Sequence, residues 1–351
     1  MAPTAASFAE LSGRMPISAG EAAYVRAGFN SHAMALVVGL MVVTAGVVSA
    51  AAVAIGAAGY IRVFIDIPEP VAVTLVIIVM GGAAAWGIIE SVSLAGVLPV
   101  IEIAGLCVIV AAGIYSEPSI VLRAGEVVPA TLDPAAWNGI LAAGLLAFFA
   151  FIGFEDLVNI AEEAKDPEAV LPRAIFLTLT VSTLVYVLVV SVAVLSVPLD
   201  GLAASKAPLG YVFETVTGKT PLFISAIAIV ATLNGIIIQM IMASRVLYGL
   251  SAQGGLPATL SRINPVTRTP LLATGLVVFT VLLLALAFPI EGLAEMTSRV
   301  TLTIFSLVNL ALILLKLRGE APPEGVFTVR LWVPVAGLLL SLSLLAQDVI
   351  G

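Results

Sequence analysis

The chain has 351 residues, of which 61% are hydrophobic and only 11% charged, and its mean hydropathy is +1.17. A soluble domain carries about 25% charged residues because its surface must face water, so this composition excludes a soluble globule and indicates a surface that meets lipid. The net charge of −7 says little in a membrane chain, and no basic stripe or zinc-finger spacing points to a nucleic-acid partner.

A hydrocarbon core about 30 Å thick takes about 20 apolar residues at about 1.5 Å each. Residues 1–10 are semi-apolar but too short to span. They do not read as a secretory signal, because Arg14 follows rather than precedes the apolar stretch and no small-residue cleavage site comes after it. Segments apolar enough to span lie near 33–60, 70–89, 94–114, 136–156, 174–197, 221–245, 271–288, 298–316 and 330–347. They predict an all-α integral membrane protein, a bundle of about nine spanning helices, in a single transmembrane domain, 1–351. His32, at the entry to the first span, suits an interfacial position. That span is rich in glycine, alanine and serine (GLMVVTAGVVSAAAVAIGAAG). Small residues let helix backbones approach closely in lipid, which predicts a compact bundle.

The span 94–114 carries Glu102 and Cys107. With one cysteine and one histidine in the chain, there is no intrachain disulfide and no ligand set for a metal, and no cofactor is expected. Glu102 lies about 12 Å into its span by helix rise. A carboxyl at that depth is either a carrier of a coupled proton or a neutral acid hydrogen-bonded to a neighbouring helix.

The span 136–156 runs through AFFAFIGFED. A charge deep in a span costs about 3 kcal/mol on insertion scales and faces the bundle interior or a cavity, which makes Glu155 a candidate. Gly153 beside it weakens the helix, and a break at membrane depth is tolerated only where it lines a cavity or is buried in protein. Two readings stay open. Either Gly153 marks a transporter-type break that exposes carbonyls and amides to a substrate, or it is a packing glycine with Glu155 at the interface. The run Glu162, Glu163, Lys165, Asp166 and Glu168, interrupted by Pro167 and Pro172, reads as a solvated segment before the span 174–197. In the span 221–245, Asn234 and Gln239 either bridge helices or line a cavity, and Arg245 is expected to mark the helix end.

Basic residues set the orientation. Grouping the connections alternately puts ten on one side (Arg14, Arg26, Lys165, Arg173, Arg245, Arg262, Arg268, Lys316, Arg318 and Arg330) and five on the other (Arg62, Arg123, Lys206, Lys219 and Arg299). The side with ten is expected to be cytoplasmic.

Three segments together resemble the amino acid–polyamine–organocation superfamily of transporters. AFFAFIGFEDLVNIAEEAKDPEAVLPRAI is similar to that family's sixth helix and the loop after it, including the EE-x-K-x-P and PRAI elements. IMASRVLYGLSAQGGLP followed by INPVTRTPLLAT resembles the end of the eighth helix and the loop into the ninth. SFAELSGRMPISAGEAAYVRAGF resembles the end of the second helix and the loop into the third. The segments stand in the family's order and spacing, and the resemblance covers essentially the whole chain.

The resemblance implies inverted five-helix repeats with substrate near the midplane, where the first and sixth helices are unwound. Residues 33–347 would supply the third to eleventh helices and residues 1–10 the tail of the second, so that the first helix, with its glycine-rich break, would fall ahead of the SFAEL segment. In relatives, carbonyls at the positions of Ile152, Gly153 and Phe154 receive the substrate's amino group, and an aromatic at the position of Phe149 covers it. Glu155 matches an acid linked to pH response. Glu102 stands where several relatives have a lysine thought to replace a sodium ion, a departure from the lysine form of coupling. Other relatives carry an acid there in a similar I-E-x-x-G-L setting.

The implied function is secondary active transport of amino acids across the cell membrane by alternating access, by proton-coupled symport or exchange. The partners would be an amino acid, protons and the bilayer. A neutral amino acid suits the chain better than a polyamine, since no intramembrane acid cluster stands out. No P-loop is present to hydrolyse ATP. With no metal ligand set and no nucleophile–base pair, the chain does not read as an enzyme. The alternative is a non-transporting permease remnant or a membrane partner subunit, favoured by the position of the family's first helix ahead of SFAEL.

Overall fold

A backbone in lipid satisfies its N–H and C=O groups in helices or closed barrels, and apolar runs of about 20 residues of Val, Leu, Ile and Ala suit helices. A computed structural model describes every residue except 18–19, 88–91, 129–136, 138, 141–142 and 351. Among the described residues there is no strand. The main helices are α1 (Ala2–Arg14), α2 (Gly20–Phe29), α3 (His32–Ile61), α4 (Glu69–Trp86), α5 (Val92–Ser116), α6 (Gly144–Phe149), α7 (Pro167–Ser196), α8 (Pro208–Thr217), α9 (Leu222–Ala252), α10 (Leu271–Ala287), α11 (Ile290–Leu317) and α12 (Trp332–Ile350). Among the described residues, six stretches are long and apolar enough to cross a bilayer: α3, α4, residues 97–116 of α5, α7, α9 and α11. Helix α10 and residues 332–347 of α12 are shorter and apolar.

Helices depart from the apolar segments where polar residues continue a helix beyond the lipid. Helix α11 starts at Ile290 rather than at 298, because EGLAEMTS is polar yet helix-compatible and places Glu291 in the first turn, where the macrodipole favours an acid. Helix α7 starts at Pro167 rather than at 174. A proline at the first helical position loses no intrahelical bond, so Pro167 opens the helix instead of interrupting the chain. Helix α9 continues past Arg245 to Ala252, about two turns beyond the expected end. Helix α4 closes on Gly87, whose φ of +76° is the left-handed cap that glycine adopts without strain; residues 88–89 of its expected span lie outside the described residues.

Helix α3 packs along α9 and α11 and also meets α2, α4 and α10. Its small residues allow this. Ala50, Ala51, Ala54, Ala57 and Ala58 are buried among Val76, Ile77, Ile236 and Met240. A second core is aromatic. Phe8 of α1 meets Tyr24 of α2, Phe154 and Phe305 of α11 edge-on at 6.3, 5.7 and 5.3 Å. Where α1 ends, Glu10 is fully buried. It accepts from Arg14 Nε at 2.9 Å, Lys316 Nζ at 2.7 Å and the Val329 backbone N–H at 2.6 Å. One carboxylate thus ties α1 to the end of α11 and to the segment leading into α12.

Candidate functional site

The expected span 136–156 falls partly outside the described residues, at 136, 138, 141 and 142. Its described remainder is not one continuous helix. Helix α6 stops at Phe149, residues 150–154 form turns, and a 3-10 helix runs from Glu155 to Glu163. Gly153 has φ of +122°, a region that side chains other than glycine rarely adopt. The Glu155 carboxylate accepts from the Gly153 N–H at 2.8 Å, taking a donor that a helix would have satisfied. The Gly153 carbonyl accepts from Asp156 N at 3.2 Å and keeps a second lone pair.

The aromatic residues of the segment hold the break in place. Phe154 is buried against Phe8 and Phe305, with ring centroids 5.7 and 5.5 Å apart. Phe151 meets Tyr186 of α7 edge-on at 5.5 Å. Phe149 is half-buried and packs against the α3–α9 core.

The break opens on a cleft of about 470 Å³, part of it continuous with solvent, between α3, α9 and α11. Ile152 and Glu155 line it, whereas Phe149, Gly153 and Phe154 do not. Among the lining residues that the sequence did not single out are Glu21, Asp156 and Thr301. Gln239, left open between bridge and cavity, does both: it lines the cleft and donates to Asp156 Oδ2 at 3.2 Å. Glu21 enters because α2 folds back under α3 and packs on α11 and the 3-10 segment. Burial pushes the Glu21 carboxyl up to about 8, and the neighbouring Asp156 charge adds to the effect. Thr301 is buried at 2% exposure, and its hydroxyl has no hydrogen-bond partner.

Glu102 and Asn234 come together elsewhere. The Asn234 amide donates to Glu102 Oε1 at 3.3 Å, joining α9 to α5. Neither lines the cleft, so Asn234 bridges two helices where it was also a cavity-lining candidate.

Asp156 was adjacent to a singled-out acid, and that adjacency was the one available signal. Nothing local places Glu21 there, since helices α3 to α6 separate it from Asp156 in the chain.

The family model for amino acid permeases matches residues 1–349. The branched-chain amino acid permease BcaP of Bacillus subtilis (strain 168) is 26% identical over 92% of this chain and 72% of its own length. Cationic amino acid transporter 4 of Mus musculus is 31% identical over 55% of this chain and 30% of its own length. The vacuolar cationic amino acid transporter 4 of Arabidopsis thaliana is 30% identical over 74% of this chain and 42% of its own length. The chain thus spans most of the bacterial permease but less than half of either cationic transporter. Family match and apolar helices together make it an integral, multi-pass membrane protein. The chain belongs to the amino acid permease family.

Proposed function

We propose that the chain is a secondary transporter that carries an amino acid across the cell membrane by alternating access, binding it beside residues 149–155. The observation that carries this reading is the interruption between α6 and the 3-10 segment, with Gly153 at φ of +122° beside a cleft walled by α3, α9 and α11. Broken helices at such a site expose backbone polar groups to substrate. In this reading the carbonyls of Ile152, Gly153 and Phe154 take the substrate's amino group, Ile152 meets its apolar part, and Phe149 and Phe154 frame the break. The family match over residues 1–349 supports it independently.

Coupling by proton symport or exchange fits the same geometry. Glu155 holds the Gly153 N–H, so a change in its charge acts directly on the shape of the break. Glu102, tied to Asn234, is the second coupling candidate.

The test is uptake of labelled amino acids by the reconstituted chain with and without an imposed pH gradient. A Cβ at position 153 would meet nothing within 4 Å, so Gly153→Ala changes backbone strain alone. Strain of about 1–3 kcal/mol predicts uptake lowered roughly 5- to 150-fold. Unchanged uptake kinetics in this variant would remove the site from the break. Glu155→Gln keeps an acceptor for the Gly153 N–H but no titration, and is expected to abolish stimulation by the gradient.

A further inference from the structure

Glu21, Glu155 and Asp156 line one cleft, and among its described lining residues there is no lysine, arginine or histidine. The three carboxyls come from two segments far apart in the chain, α2 and the break, so their meeting is a product of the fold. Like charges at close quarters oppose one another unless an opposite charge joins them. The hydrogen bonds of Glu155 and Asp156 orient these two acids without saturating them. The Gly153 N–H occupies Glu155 Oε2, and Gln239 occupies Asp156 Oδ2. A carboxylate has about four lone-pair sites, so acceptor capacity remains toward the cleft.

Thr301 is an independent sign of an absent guest. Other threonines of α11 place their hydroxyls on a carbonyl one turn back: Thr297 on Leu293 at 2.9 Å and Thr303 on Arg299 at 2.8 Å. Thr301 does not, and its buried Oγ1 is left without any partner at the wall of the same cleft. An unsatisfied buried hydroxyl costs about 1–3 kcal/mol, a cost that a ligand would relieve.

We propose that this cleft receives the cationic end of the transported molecule, an ammonium or guanidinium group held by Glu21, Glu155 and Asp156 with Thr301 as a neutral acceptor. The inference rests on the permease reading of the cleft and adds the substrate's charge class to it. An ammonium carries three donors and a guanidinium five, with no acceptor on either, which matches a wall rich in acceptors.

The chain in proteoliposomes would be offered L-lysine and L-norleucine, which share main-chain groups and alkyl stem and differ in the terminal ammonium. Lysine is expected to be taken up with an affinity at least about tenfold higher, as charge-assisted hydrogen bonds imply. Asp156→Asn should lower that preference about tenfold, and Thr301→Val, close in volume but without the hydroxyl, several-fold. Equal affinity for the two amino acids in the unaltered chain overturns the inference, whether or not either variant folds. A loss of lysine and norleucine uptake in equal measure in the folded variants also overturns it, since the acids would then serve a coupling ion. Uptake of norleucine without preference for lysine leaves the permease reading standing. If no amino acid is taken up, that reading falls and the inference with it.

Discussion

Glu21 and Glu10 show how two buried acids with different surroundings behave differently. Glu21 faces two other acids, Asp156 and Glu155, in the cleft, and its carboxyl is raised from 4.5 to about 8 by burial first and by the Asp156 charge after it. The folded chain therefore keeps the proton that the unfolded chain gives up above 4.5. Stability from this group is fully present below that value and is lost as pH rises to about 8, at about 1.4 kcal/mol per pH unit. Thermal unfolding in detergent micelles should show a midpoint that falls across this window, and Glu21→Gln should flatten the fall. A slope unchanged by the substitution would show that Glu21 is not the titrating group. Glu10 instead sits among donors from Arg14, Lys316 and Val329. Removing one side of a buried pair leaves an uncompensated charge and costs about 3–5 kcal/mol. Glu10→Gln should lower the unfolding midpoint more than Lys316→Met, because Arg14 still faces Glu10 in the latter. The reverse order would mean that Lys316 acts mainly through Val329.

The break and the α2–α11 contact are decided between elements. Gly153 alone did not distinguish a packing glycine from an interrupted helix, because both readings need glycine. The neighbours settle the local geometry. Phe154 docks into the aromatic core of Phe8 and Phe305, and Glu155 turns back onto the Gly153 N–H. At Gly28, a Cβ would collide with Ala311 of α11, backbone included. Gly28→Leu is expected to displace α2 and with it Glu21, since overpacking costs about 1–3 kcal/mol or more. A folded Gly28→Leu protein should then lose discrimination between lysine and norleucine before it loses uptake of both. Helix ends divide in a similar way. Ser31 caps α3 by accepting from Met34 N at 3.3 Å. The start of α11 at Ile290 was hidden because its first two turns are polar.

For the whole molecule, a hydrophobic fraction of 61% with 11% charge pointed to a membrane protein, and continuous apolar runs of about 20 residues to helices as its spanning elements. Motif order then indicated the permease family, and the match over residues 1–349 agrees with it. The alanines and glycines of the first span pointed to a compact bundle, and α3 is the helix along which α9 and α11 pack.

The expectation that no acid cluster stands out came from reading each span separately. That view registered Glu155 and Glu102 as single acids at single depths. It had no means of bringing Glu21 across helices α3 to α6 to Asp156, or of leaving Thr301 without a carbonyl to bond. Hydropathy and local motifs report how each residue meets lipid and its chain neighbours, and those determined the class and pointed to the family. Which side chains share one cleft depends on packing between segments distant in sequence, and only the tertiary structure brings Glu21, Asp156, Gln239 and Thr301 to the same wall.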